Sequence, residues 1–249
     1  MKDFLKDKKK RKIFIVLSSV VLSLLLIIGV FAFYVSDYYH ADIDKINEFD
    51  SIKNTTYQVL EDDTIVFDVE NATTGVIFYP GGKVDYKAYL PLMASLAENG
   101  ILSIIVEMPF NLAVFDMNAA DDIIDKYNNI ESWYIAGHSL GGSMAASYLE
   151  KNYEKFDGLI LLGSYSTADL SSTNLKVLSI YGSEDKVLNL EKYDECKNNL
   201  PSGFVEHIVK GACHAYFGVY GEQDGDGTPT ISNEEQIRIT SSFVIEFIK

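Results

Sequence analysis

Hydrophobic positions fall into two regimes along the chain. Residues 13–35 give 23 consecutive positions without a charge, long enough for a helix to cross a hydrocarbon core of about 30 Å. From residue 57 on, short apolar runs alternate with helical stretches. The runs at 57–60, 64–69, 75–79, 101–106, 132–136, 158–162, 175–181 and 204–208 predict strands. Residues 86–99, 117–128, 140–152, 189–198 and 233–248 predict helices. The later strand runs are apolar throughout, as in parallel strands covered on both faces. Several lead through a glycine, proline or serine turn into a helix. That order predicts an α/β fold: a mostly parallel, doubly wound sheet with helices on both faces and sites at the carboxyl ends of its strands. Residues 36–56 are polar with scattered apolar positions and read as a juxtamembrane helix or stalk. The expected organisation is a basic segment at 1–12, a transmembrane anchor at 13–35, the stalk at 36–56 and one domain at 57–249.

Charge sharpens this division. Residues 1–12 carry seven basic side chains against Asp3 and Asp7, a flank expected to stay cytoplasmic and to leave the domain outside the membrane. Phe31, Phe33, Tyr34, Tyr38 and Tyr39 cluster at the far end of the apolar run, where an interfacial belt would lie. A cleaved signal peptide is the weaker reading, because its apolar region is shorter and ends in a small-x-small site. A buried soluble helix would leave the basic flank idle. The whole chain of 249 residues has a net charge of −15 and is 47% hydrophobic, enough for one domain with a large core. Without its first 12 residues it keeps 14 basic and 34 acidic side chains, a balance of −20. That excludes nucleic acid as a partner, which needs a positive footprint. Cys196 and Cys213 are the only cysteines. They allow either one disulfide in an oxidising compartment or, with Cys213 beside His214, a free buried thiol. No metal-binding cysteine spacing is present, and no metal or other cofactor is expected.

The candidate chemistry begins at Gly137-His138-Ser139-Leu140-Gly141-Gly142, between an apolar strand and a helix start. Gly-x-Ser-x-Gly in that setting lifts one hydroxyl out of a tight turn, with Gly137 and Gly141 letting strand and helix approach. The helix N-terminus points its amides where negative charge would develop. A nucleophilic Ser139 needs a base. Of four histidines, His40 lies next to the membrane segment, His138 is inside the turn with its side chain expected to point away, and His207 is in the last strand. His214, in a glycine-bearing loop after that strand, is the candidate. The acid that orients it is Asp185 in Tyr181-Gly182-Ser183-Glu184-Asp185-Lys186, with Glu184 beside it and Asp169 as competitors. Oxyanion donors are expected from the Leu140 amide and from Pro80-Gly81-Gly82-Lys83, at Gly82 or Lys83.

On these residues the chain resembles the α/β-hydrolases, whose triad runs in the order Ser139, Asp185, His214. More narrowly it resembles the compact bacterial group called alpha/beta hydrolase family 5. The likeness rests on Phe78-Tyr79-Pro80-Gly81-Gly82-Lys83-Val84-Asp85, on Met108-Pro109-Phe110-Asn111-Leu112-Ala113-Val114-Phe115, on the serine turn, and on Gly211-Ala212-Cys213-His214-Ala215-Tyr216-Phe217-Gly218 with its continuation to Gly227. It spans roughly residues 60–248. By that likeness Ser139, Asp185 and His214 carry over as nucleophile, acid and base, and the bend at 81–83 as the oxyanion loop. Cys213 departs from the pattern, since a polar residue such as asparagine is more usual there. Asp224 and Asp226 lack the other ligands of a twelve-residue calcium loop and read as a rigid acidic loop. The segment 108–115 is expected either to line the acyl or alcohol pocket or to be core.

The implied reaction is hydrolysis of a small or flexible carboxylic ester through an acyl-enzyme. Only 12 residues separate the runs at 158–162 and 175–181, too few for a large helical lid. Three alternatives stay open: a peptidase or amidase, a lipase or thioesterase, and an anchored binding protein that keeps the fold without turnover.

Overall fold

The computed structural model describes residues 8–249. Lys2, Asp3, Lys6 and Asp7 of the basic segment lie outside the described residues. The chain divides into two compact units, Met1–Asp37 and Tyr38–Lys249. Among the described residues the first holds one helix, α1 (Lys8–Ser36), of 29 residues with none buried. It is long and apolar enough to cross a membrane. Its Ser19 and Ser36 hydroxyls donate to the carbonyls of Ile15 and Phe33, so they are satisfied within the helix, as an apolar surrounding requires.

The second unit begins earlier than the sequence suggests. Residues 38–54, expected as a stalk, are folded onto the domain. Tyr39 pairs with the loop at Val84: its amide donates to the Lys83 carbonyl and its carbonyl accepts the Asp85 amide. Two short helices follow, α2 (Ile43–Ile46) and α3 (Asp50–Asn54). The scattered apolar positions explain the difference, because Ile46 and Phe49 enter the same core as Phe78 and Leu92.

Eight strands form one sheet: β1 (Gln58–Val59), β2 (Ile65–Phe67), β3 (Thr74–Tyr79), β4 (Leu102–Ile105), β5 (Ser132–His138), β6 (Gly158–Leu162), β7 (Lys176–Gly182) and β8 (Val205–Val209). Their order is β1-β2-β4-β3-β5-β6-β7-β8. β2 runs antiparallel to β1 and β4, and every other pairing is parallel. The central strands alternate between two cores. Phe78, Ala136, Leu162 and Ile180 face the layer holding α4 (Leu90–Ala97) and α8 (Asn233–Ile248). Ile77, Ile135, Leu161 and Val177 face the layer holding α6 (Leu140–Asn152). Both faces are covered, which is why these strands read as continuous apolar runs.

The helix expected at 117–128 shrinks to one turn, α5 (Asp121–Ile124). Asn and Asp, frequent at 116–125, are weak helix formers that favour turns, and the Asp121 carboxylate is held by Tyr148 and Lys155. The remaining helix, α7 (Leu190–Cys196), follows β7. The chain runs from β3 to β4 on one side and from β5 to β6 on the other, so the switch point lies between β3 and β5. In open α/β sheets ligands bind at that crevice.

Candidate active site

Register sets Tyr79 of β3 opposite Gly137 of β5, so the loop after β3 and the serine turn emerge side by side. Ser139 has φ 51° and ψ −121°, a strained conformation for a non-glycine residue that costs about 1–3 kcal/mol. Three hydrogen bonds hold it. Its amide donates to the Leu162 carbonyl (2.9 Å), and its carbonyl accepts the Ser143 amide (3.2 Å) and the Ser164 hydroxyl (2.7 Å). The Ser139 hydroxyl does not cap α6. A Cβ at Gly141 would overlap the Tyr79 and Pro80 carbonyl oxygens, and one at Gly137 would overlap the Gly142 backbone. Glycine at both positions is what lets α6 start this close to β3 and β5.

Asp185 leaves the end of β7 and His214 follows β8. Both are buried, at 2% and 1% exposure. Asp185 Oδ2 lies 2.8 Å from His214 Nδ1, while Oδ1 accepts the amides of Val187 (2.9 Å) and Leu188 (2.8 Å). The carboxylate is therefore fixed by its own loop before it meets the imidazole. His214 Nε2 makes no hydrogen bond among the described residues, so none joins it to Ser139 here. Ser139 and His214 do line one cleft of about 260 Å³, with Leu140, Tyr165, Val187 and Leu188. The competing acids lie elsewhere. Glu184 accepts the Ser183 hydroxyl, and Asp169 accepts the Ser171 amide and hydroxyl.

The loop after β3 packs on the serine turn. Gly82 sits against the Leu140 side chain, and its amide makes no hydrogen bond among the described residues. The Lys83 amide, the other expected donor, is committed to the Asn111 carbonyl at 2.8 Å. The Leu140 amide opens α6, where the first N–H groups have no partner within the helix.

A model of the alpha/beta hydrolase family matches residues 75–238. The chain belongs to the alpha/beta hydrolase family. Solved structures share its fold. A predicted CIB-like hydrolase from Thermoplasma acidophilum is 18% identical with a TM-score of 0.55, over 78% of this chain and 100% of that one. Est1E from Butyrivibrio proteoclasticus is 13% identical with a TM-score of 0.54, over 78% and 98%. A soluble variant of monoglyceride lipase from Saccharomyces cerevisiae is 12% identical with a TM-score of 0.57, over 79% and 94%. At these identities the likeness is one of fold. No curated protein matches the chain in sequence.

The other expected positions fall around this site as follows. The segment 108–115 does not line the cleft. Met108 and Ala113 are core, Leu112 is buried beside Gly82, where only an added Cβ would reach it, and the Asn111 carbonyl holds the Lys83 amide, so the segment buttresses the neighbouring loop. The cleft walls come instead from 163–165 and 187–189. His138, expected to point away, lies beneath the site with its ring 4.5 Å from that of His214. Burial first, then the His214 ring, hold its pKa well below the usual histidine range. Its Nδ1 lies 2.8 Å from the hydroxyl of Tyr89, a residue with no local sequence signal. His207 stacks on Phe243 at 3.9 Å, away from the cleft.

Cys196 and Cys213 are free and buried. Burial, then the Asp226 carboxylate, raise the Cys213 thiol to about 12, so the departure from the usual polar residue leaves a neutral group there. Among the described residues no group of three or more His, Cys, Asp or Glu is placed to hold a metal ion. Within the acidic loop, Asp226 turns both its oxygens onto backbone amides.

Proposed function

We propose that the chain is a membrane-anchored serine hydrolase cleaving small or flexible carboxylic esters. The observation that carries this reading is the buried Asp185–His214 pair, at 2.8 Å, whose histidine lines the same cleft as the strained Ser139. His214 Nε2 takes the proton as Ser139 Oγ attacks the ester carbonyl, and Asp185 stabilises the imidazolium from the other side of the ring. The amides of Leu140 and Gly82 receive the tetrahedral oxyanion. His214 then protonates the leaving alcohol, and water repeats the sequence on the acyl-enzyme.

Substrate size follows from the walls. The link between β6 and β7, residues 163–175, contains no helix that could close as a lid, and the cleft it borders is small. The anchor reading is supported by the length and apolarity of α1, and the basic residues 8–12 at its start favour a domain outside the cytoplasm by the positive-inside tendency.

Labelling the full-length protein with a fluorophosphonate, beside Ser139→Ala and His214→Ala, tests the chemistry. Label and p-nitrophenyl ester hydrolysis should both vanish in the two variants. A well-folded wild type that neither labels nor hydrolyses would show a binding protein on the hydrolase fold, and faster turnover of amide analogues would show an amidase. Protease shaving of intact cells tests the topology. Protection of the domain in unbroken cells would place it inside.

A further inference from the structure

Asp226 lies outside the sheet, in the loop after His214, between two glycines. Its carboxylate reaches three backbone amides. Oδ2 accepts from Ala215 at 2.9 Å. Oδ1 accepts from Gly227 at 2.8 Å and from Lys186 at 3.2 Å. Only the Gly227 bond is local. Ala215 directly follows His214, and Lys186 directly follows Asp185. One carboxylate is thus bonded to the chain immediately after the histidine and immediately after its acid.

The loop is seated, not draped. The backbone of Gly227 lies so close to the Glu184 carbonyl that any Cβ there would overlap it. Its other end is tied by the Asp224 amide, which donates to the Tyr39 hydroxyl at 3.1 Å. Burial alone would raise the pKa of Asp226, but the amides of Ala215, Lys186 and Gly227 outweigh it and hold the group below the usual carboxylate range. The clamp therefore carries its charge at neutral pH, and charge-assisted bonds are the strong ones.

We propose that Asp226 is a positioning residue that locks the Asp185 loop to the His214 loop and so sets the alignment of their hydrogen bond. This rests on the reading of Asp185 and His214 as acid and base. Asparagine at 226 keeps a single acceptor oxygen, so it must release either the Ala215 arm or the Lys186 and Gly227 arm. The imidazole then shifts relative to both Asp185 and Ser139, and displacements of this kind cost rate steeply.

The test uses the full-length protein and Asp226→Asn, with Asp226→Ser as a second variant should the first fail to fold. Steady-state hydrolysis of a small p-nitrophenyl ester is measured together with the low-field proton resonance of the His214 Nδ1–H bond to Asp185. The expected result is a fall in kcat of about 10- to 100-fold, KM within about two-fold of wild type, and a low-field resonance that moves upfield or broadens away. Unchanged kcat and resonance in a folded variant overturn the proposal. So does a loss of kcat with the resonance unmoved, or a rise in KM alone. If the wild type shows no Ser139-dependent hydrolysis, it is the hydrolase reading that fails. The resonance needs only the Asp185–His214 pair and still decides the clamp.

Discussion

Tyr89 joins the loop after β3 to the serine turn: its hydroxyl accepts the Gly81 amide at 3.0 Å and lies 2.8 Å from His138 Nδ1. The hydroxyl oxygen has two lone pairs and one proton, so it accepts the amide and either gives its proton to Nδ1 or accepts one from it, according to the imidazole tautomer. Both side chains are buried, so each bond is made without competition from water. Tyr89→Phe keeps the ring and strands two polar groups. Stability should fall by about 1–3 kcal/mol, and kcat should fall more than stability explains, because Gly81 precedes the proposed oxyanion donor Gly82. Thermal unfolding and ester kinetics on the same preparation check both. A variant as active as wild type would separate the Tyr89 link from the chemistry.

His138 makes folding sensitive to mild acid. Its pKa is depressed in the native state by burial and by the His214 ring, whereas an unfolded histidine titrates near about 6.5. Below that pH the unfolded chain binds a proton that the native chain refuses. The stabilisation is therefore fully present above about pH 6.5 and falls as pH drops, by about 1.4 kcal/mol per pH unit, until the native pKa is reached. His138→Gln removes this titration. Urea midpoints followed from about pH 7.5 down to about pH 5 should decline less steeply in the variant. Parallel slopes would count against the assignment.

Sequence and structure agree where periodicity is strong and local. The strand at Gly158–Leu162 and the helices at Leu140–Asn152 and Asn233–Ile248 coincide with their apolar patterns, and Ser232 caps the last helix by accepting the Glu235 amide. What the sequence could not carry was distance. Ile46 and Phe49 look like isolated apolar residues in a polar stretch until β3 and α4 supply the surface they bury. Tyr89 is one tyrosine among 16, and nothing near it announces a bond to a histidine 49 residues away. Asp226 was visible as an acidic, glycine-flanked position, but its partners sit 40 and 11 residues back. The glycine-rich bend favours Gly82 over Lys83 as donor only narrowly, and the difference becomes physical in the Asn111 carbonyl that takes the Lys83 amide.

The segment 38–54 should behave as part of the domain. Ile46 and Phe49 are 1% and 7% exposed, and burying side chains of this kind stabilises by about 1.5–3 kcal/mol each. Tyr39 also braces Lys83 and Asp224 through hydrogen bonds. A chain starting at Tyr38 should stay folded and active, while one starting at Tyr57 should unfold at lower temperature and lose activity. Melting curves and fluorophosphonate labelling of the two truncations make the comparison. Equal behaviour would return the segment to the role of a stalk.

Asp185 and Glu184 are adjacent carboxylates with opposite surroundings. Asp185 Oδ1 is taken by two amides and Oδ2 by His214, whereas Glu184 reaches only Ser183 among the hydrogen bonds seen here. Asp185→Asn presents an amide where the imidazole N–H needs an acceptor, or flips and leaves the Val187 and Leu188 amides unpaired. Either way His214 loses the tautomer and orientation it needs to accept the Ser139 proton, and kcat should fall by about 10³- to 10⁴-fold. Glu184→Gln should stay within about two-fold of wild type, as a residue outside the transition state does. Measuring both under the same conditions assigns the acid by contrast. If the losses were comparable, the 2.8 Å contact between Asp185 and His214 would be structural, and the acid would have to be sought on Glu184.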